Sequence, residues 1–214
     1  MTPFGVLTAI AAPMPDADID TDIIFPARFL LLTDKRGLGR CAFFEKRFTP
    51  DGAERPEFVL NRAPWRDAQI LVAGPNFGCG SSREQAPWAL GDLGIRCIVA
   101  PGFGEIFQAN CYANGILPVV LPAAAHGRVL REAEAGRPIT VDLMGCSIEL
   151  AAGEPTEPAG ESIAFEVPSR QRDALLAGLD EIGLIRQQEG TRIAEFERRH
   201  RERMPWLFTD LNFN

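Results

Sequence analysis

Two strand–helix–strand units standing back to back between residues 68 and 122 restrict this chain more than any other feature. "AQILVAG" (Ala68 to Gly74) is a short apolar run that passes straight into a glycine-rich turn, and "REQAPWALGDLG" then has helical spacing with a stop at Gly94. "RCIVAP" is a second strand, "GEIFQANCYANG" a second helix closed by Asn114 and Gly115, and "LPVVLP" a third strand. Consecutive units of this kind require parallel strands joined by right-handed crossovers, so the fold class is α/β.

The flanking segments add to this frame. Phe4 to Ala12 suits a buried strand, ended by a turn rich in Pro and Asp, and the residue before Pro26 is expected to be extended. "TDKRGLGRCAFFEKRFTPDGAERPEF" reads as a long polar loop with "PDG" as a turn. "ITVDLMGCSIELAAGE" alternates as two strands around Gly145, which predicts a hairpin. "SRQRDALLAGLDEIG" predicts one helix with Ser169 as N-cap and with Ala174, Leu175 and Leu179 turned inward. A last, densely charged helix is expected from about Thr191 to Arg203, followed by the apolar "MPWLF", which either docks on a partner or covers the core. The expected domains are 1–190 and a charged helix with apolar tail over 191–214.

Composition narrows the function. A net charge of -7 lacks the cationic excess that neutralising phosphates needs, which argues against nucleic acid as a partner. No apolar run approaches the length of a membrane span, and "MTPFGVLTAIAAPMPDADID" has no basic start and is broken by Pro13 and Pro15, so a cytoplasmic protein is expected. The five cysteines, Cys41, Cys79, Cys97, Cys111 and Cys146, are widely spaced without a C-x-x-C, and no metal or cluster cage is expected in this chain.

Chemistry concentrates in "NFGCGSSREQAPWAL", Asn76 to Leu90. Gly78 and Gly80 permit positive φ and close backbone approach, Ser81 or Ser82 suits a helix cap, and unpaired N–H groups there attract an anion. Arg83 adds a planar fork matched to a carboxylate or phosphate. A helix start with a capping serine and a solvated Arg83 fits the same residues. Pro87 predicts an irregular first turn. The loop lacks the lysine of a phosphate-binding P-loop, has Arg83 where a dinucleotide loop needs glycine, and lacks the G-x-S-x-G of a serine hydrolase. His126 and His200 have no context that makes either a base, and Cys79, without a base, reads as a packing residue.

These residues also carry a resemblance. "DTDIIFP" (Asp20 to Pro26), "NFGCGSSRE" (Asn76 to Glu84), "APWAL" (Ala86 to Leu90), "VAPGFGEIFQANCYANGILPV" (Val99 to Val119) and "LDEIGL" (Leu179 to Leu184) stand in the order found in small subunits of 3-isopropylmalate dehydratase. The resemblance spans nearly the whole chain. It implies the three-layer β/β/α swivel fold of the aconitase C-terminal domain, and a [4Fe-4S] cluster held by a separate large subunit. The implied reaction interconverts 2-isopropylmalate and 3-isopropylmalate through isopropylmaleate in leucine biosynthesis.

By position in the motif, Ser81 resembles the alkoxide base, Arg83 the carboxylate clamp, and Ser82 and Gly80 substrate-binding positions. Asp22 matches an acidic active-site residue, for which a helix cap or turn former is the plainer role. Arg28 lies near a substrate-binding arginine of the superfamily. "FLLLTDKRG" (Phe29 to Gly37) stands where relatives have a mobile substrate-reading loop, and Leu31 and Leu32 suit an isopropyl group or a place in the core. Gln85 departs from the histidine usual in the family. That departure keeps open a sister hydro-lyase acting on citramalate or homoaconitate, alongside a non-catalytic anion-binding assembly module and, last, a stand-alone hydrolase.

Overall fold

The computed structural model describes residues 1–32, 34–150, 160 and 162–208. Its strands are β1 (Val6–Met14), β2 (Ile70–Ala73), β3 (Cys97–Ala100), β4 (Leu117–Val120), β5 (Pro138–Asp142), β6 (Ser147–Leu150) and β7 (Ser162–Ala164). The helices are α1 (Thr21–Ile24), α2 (Phe44–Arg47), α3 (Gln85–Asp92), α4 (Glu105–Ala113), α5 (Ala123–Glu134), α6 (Ser169–Ala177) and α7 (Glu181–Arg203). Among the described residues no helix is long and apolar enough to cross a membrane.

One mixed sheet runs β4-β3-β2-β1-β5-β6-β7. Strand β1 serves two ladders. Its Ala11 to Met14 half pairs parallel with β2, and its Val6 to Ile10 half pairs antiparallel with β5. The side from β1 to β4 is parallel, as the two crossover units predict, whereas β5, β6 and β7 pair antiparallel.

Every residue of β2 and β3 is buried, the condition of a parallel strand covered on both faces. Side chains alternate across the sheet. Leu71, Ala73, Ile98 and Ala100 join one core with Ala86, Ala89 and Leu90 of α3 and Phe107 and Cys111 of α4. Ile70, Val72, Cys97 and Val99 join the other with Ala125, Val129 and Ala133 of α5 and with Ile139, Val141, Ile148, Leu150 and Ile163 of the antiparallel strands. The antiparallel ladder thus folds over one face of the parallel ladder while α3 and α4 cover the other, which is the three-layer β/β/α arrangement.

Several local expectations are corrected. Strand β1 is shifted to Val6–Met14 from the expected Phe4 to Ala12. The stretch expected as a polar loop contains α2 and buries Leu38, Cys41, Ala42, Phe43 and Arg47. Arg47 tolerates burial because Nη1 donates to the Gly39 carbonyl at 2.9 Å and Nε to Asn61 Oδ1 at 3.3 Å. The single helix expected from Ser169 is two: α6 stops at Gly178, whose φ of 68° a side chain resists, and Asp180 caps α7 by accepting from the Gly183 N–H at 2.7 Å. Ser169 is the first helical residue and makes no capping bond, since Pro168 holds the cap position. Leu175 is buried as expected, while Ala174 and Leu179 are half-buried.

Helix α7 begins at Glu181, well before Thr191, and crosses residue 190 unbroken. Met204, Trp206, Leu207 and Phe208 are exposed, so "MPWLF" does not cover the core. Residues 151–154, where the hairpin reading ends, Thr33 of the 29–37 segment, and residues 209–214 of the expected tail lie outside the described residues.

Candidate active site

The loop after β2 is clamped from both sides before its serines emerge. On one side, the Gly78 N–H donates to the Ile19 carbonyl at 2.7 Å and the Thr21 N–H donates to the Cys79 carbonyl at 2.9 Å. On the other, the Phe77 N–H donates to the Gly102 carbonyl at 3.1 Å and the Gly104 N–H donates to the Phe77 carbonyl at 2.9 Å. Phe77 is buried edge-on against Phe107, with ring centres 5.5 Å apart.

Glycine is required twice here. A Cβ at Gly78 would lie 2.2 Å from the Phe107 ring, and one at Gly104 would lie 2.4 Å from the Gly78 carbonyl oxygen. Gly80, at φ 90°, then turns the chain outward and leaves Ser81 and Ser82 exposed.

The "DTD" triplet divides its work among three side chains. Asp20 Oδ1 accepts from the Ile23 N–H at 2.7 Å and caps α1, so the capping role considered for Asp22 belongs to Asp20. The buried Thr21 hydroxyl donates to the Ser81 carbonyl at 2.9 Å and fixes the serine backbone. Asp22 is left to pair with Arg83. Arg83 Nη1 contacts Asp22 Oδ1 and also donates to the Phe25 carbonyl at 3.3 Å. The Arg83 side chain is only 12% exposed, against 50% for Asp22, so the guanidinium is held in place and is not a freely solvated group.

A guanidinium has five N–H donors, two of them on Nη1. Both Nη1 donors are engaged, and among the described residues no protein partner takes those on Nε and Nη2. That edge of the fork suits a bidentate carboxylate.

Neither Ser81 nor Ser82 caps α3, which starts at Gln85 after Glu84 in the cap position. The entry around Pro87 is tighter than a regular α-turn, as expected, with the Ala86 N–H donating to the Arg83 carbonyl at 3.2 Å. The proline is the third helical residue, in the first turn, where its missing N–H has no intrahelical acceptor to lose. Gln85 itself is half-buried at the start of α3.

The remaining candidates lie around this centre. Arg28 is turned to α2, pairing with Glu45 Oε1 at 2.7 Å and stacking over the Phe44 ring at 4.6 Å, so the structure joins it to a different set of partners from Arg83. Leu31 is 92% exposed and Leu32 36%, which excludes a core role for Leu31. Burial and the Asp18 and Asp20 carboxylates push the Cys79 thiol up, away from the thiolate a nucleophile needs.

His126 is buried with Nε2 2.8 Å from the Ala73 carbonyl oxygen, which can only accept, so the ring donates from Nε2 and supports the end of β2. His200 stacks on Phe196 in α7. Among the described residues no three His, Cys, Asp or Glu side chains stand together to hold a metal ion. Cys97 and Cys111 are fully buried, and desolvation pushes both thiols well up. These residues do not fit a cluster.

Sequence reading missed Thr21 and the Phe25 carbonyl. Thr21 stood inside a quoted motif, and a hydroxyl between two carboxylates was the available signal.

Known proteins resemble the chain along its length. The family described as the aconitase C-terminal domain matches residues 1–124, and the C-terminal domain of the 3-isopropylmalate dehydratase small subunit matches residues 188–210. A 3-isopropylmalate dehydratase small subunit from Rhodospirillum rubrum is 50% identical over 209 residues, covering 97% of both chains. One from Paramagnetospirillum magneticum is 49% identical over 207 residues, covering 97% of this chain and all of that one. The crystal structure of a 3-isopropylmalate dehydratase from Methanocaldococcus jannaschii superposes with a TM-score of 0.64 at 24% identity, over 89% of this chain and 99% of that one, and supports the fold. With half its residues shared over nearly full length, the chain belongs to the family of 3-isopropylmalate dehydratase small subunits, built on the aconitase C-terminal domain.

Proposed function

We propose that the chain supplies the Ser81–Arg83 loop to a heteromeric hydro-lyase that interconverts 2-isopropylmalate and 3-isopropylmalate through isopropylmaleate, a step of leucine biosynthesis. The observation that carries this reading is the Arg83 guanidinium, fixed on one edge by Asp22 and Phe25 and open on the other, beside two exposed serines. In this assignment the Nε/Nη2 edge of Arg83 grips a substrate carboxylate. The N–H groups of Gly80 and Ser82 and the Ser82 hydroxyl complete its hydrogen bonding.

Ser81, as the alkoxide, removes the proton from the carbon bearing the carboxylate. The electron pair becomes the double bond of isopropylmaleate as the neighbouring hydroxyl leaves, taking a proton from a general acid of the assembled pair to depart as water, and Ser81 keeps the carbon-derived proton until the return step. Return of water with the opposite regiochemistry completes the isomerisation. A serine needs electrostatic help to ionise, and the fixed guanidinium two residues away supplies part of it. Asp22 orients that guanidinium. Leu31 and Leu32 meet the isopropyl branch, and Arg28 stands at the edge of the substrate region.

The large subunit is the partner in this reading. The [4Fe-4S] cluster belongs there, where it would coordinate hydroxyl and carboxylate as a Lewis acid. Gln85 favours one second reading, a sister enzyme for citramalate or homoaconitate, because two residues after Arg83 it puts a neutral amide where the family usually has a titratable histidine.

The test is a reconstituted pair of this chain and a cluster-loaded large subunit, assayed by alkene absorbance against isopropylmalate, citramalate and homoaconitate. Turnover of 2-isopropylmalate by the pair alone, abolished by Ser81→Ala, is the expected result. Preference for another substrate would establish the sister enzyme. Full activity in Ser81→Ala would leave an assembly module, and ester cleavage by the isolated chain would indicate a hydrolase.

A further inference from the structure

The segment bearing Leu31 and Leu32 and the loop bearing Arg83 are tied together by one amide. Asn114, at the C-terminal end of α4, donates from Nδ2 to Glu84 Oε1 at 3.0 Å and to the Asn110 carbonyl at 2.9 Å, while its Oδ1 accepts from Lys35 Nζ at 3.1 Å. Glu84 follows Arg83 directly, and Lys35 lies four residues beyond Leu31. The Lys35 ammonium also sits 4.5 Å above the ring of Trp88, one turn into α3.

The amide is well anchored. Its backbone N–H closes α4 onto the Asn110 and Cys111 carbonyls, and Cys111 is buried in the core beneath. An amide suits this junction because it donates to a carboxylate on one side and accepts from an ammonium on the other.

We propose that Asn114 is a positioning residue: through Lys35 and Glu84 it sets the distance of Leu31 and Leu32 from the Arg83 loop, and so governs how tightly the hydrocarbon branch of the substrate is held. The proposal rests on the assignment of Leu31 and Leu32 to that branch. Each tie is solvent-exposed and worth only a few-fold in population, so the segment is latched reversibly. Losing the latch weakens ground state and transition state alike, which raises KM and leaves kcat in place.

Two readouts test this. In a variant with Trp65→Phe and Trp206→Phe, Trp88 is the sole indole, and its emission reports the Lys35 ammonium above it without any substrate or partner. Lys35→Met is expected to change the emission, Asn114→Ala to change it in the same direction by a smaller amount, and the double variant by no more than Lys35→Met. In the reconstituted pair each single variant raises KM about fivefold to tenfold, the double variant no more than either, and kcat stays within about twofold.

Emission in Asn114→Ala equal to that of the parent, additive KM effects, or a fall in kcat at constant KM would each overturn the latch. An inactive wild-type pair would instead count against the proposed reaction. The fluorescence comparison would still decide whether Asn114 holds Lys35.

Discussion

Two neighbouring glycines in the candidate loop have different burdens, and replacing each by alanine separates them. Gly78 has φ 73°, and an added Cβ would fall 2.2 Å and 2.3 Å from two Phe107 ring atoms. Phe107 is only 3% exposed and packed on Phe77, so its ring has no room to retreat. Gly80 has φ 90°, but its nearest obstacle is Asp20 Cβ at 3.4 Å, an ordinary contact. The left-handed backbone costs each variant about 1–2 kcal/mol, and overpacking adds about 1–3 kcal/mol at Gly78 alone. Gly78→Ala is thus expected to lose about 2–5 kcal/mol and Gly80→Ala about 1–2 kcal/mol. Urea unfolding of the isolated chain by circular dichroism, with unchanged m, reads the difference. Equal losses in the two variants would show that Phe107 does not wall in the loop at Gly78.

Arg83→Lys keeps the charge but loses the fork, and kcat/KM of the reconstituted pair should fall by about a hundredfold; near-normal turnover would remove the clamp role. Leu31→Ala should change unfolding free energy by less than about 0.5 kcal/mol because the side chain is exposed, while raising KM for 2-isopropylmalate; a large stability loss would contradict its exposure. Burial outweighs the Ala73 hydrogen bond and pushes His126 below its ordinary 6.5. The unfolded chain then binds that proton more readily, so the stability His126 contributes is complete above 6.5 and declines as pH falls through the window beneath it. His126→Gln should flatten that decline in urea midpoints between about pH 7.5 and about pH 5.5, and an unchanged decline would assign it to other groups.

The parallel half of the fold was legible because its strands are continuous apolar runs and its helices carry their own stops. Gly94 and Gly115 mark them, with φ of 103° and 80°. Helix α5 went unread although Ala125, Val129 and Ala133 recur at helical spacing after Pro122, a signal an alanine-rich run carries weakly. The stretch from Thr33 to Phe58 was averaged into a polar loop, which hid the apolar cluster of Leu38, Cys41, Ala42 and Phe43. The break between α6 and α7 had both its signals in the sequence, Gly178 as stop and Asp180 as start, yet continuous helical spacing overrode them.

At the site, local reasoning found the loop and the resemblance supplied the candidate roles. What neither local spacing nor turn chemistry could give was the pairing of Asp22 with Arg83, 61 residues away, and the release of Asp22 for it by the Asp20 cap. The tie from Lys35 to Asn114 spans 79 residues and is equally a product of tertiary packing.

The most direct measurement of the central claim is a structure of the assembled heteromer with 2-isopropylmalate bound. Ser81 Oγ is expected about 3–3.5 Å from the carbon that loses its proton, with the Nε/Nη2 edge of Arg83 on a substrate carboxylate. A substrate held entirely by the large subunit, with Ser81 and Arg83 turned to solvent, would contradict the account.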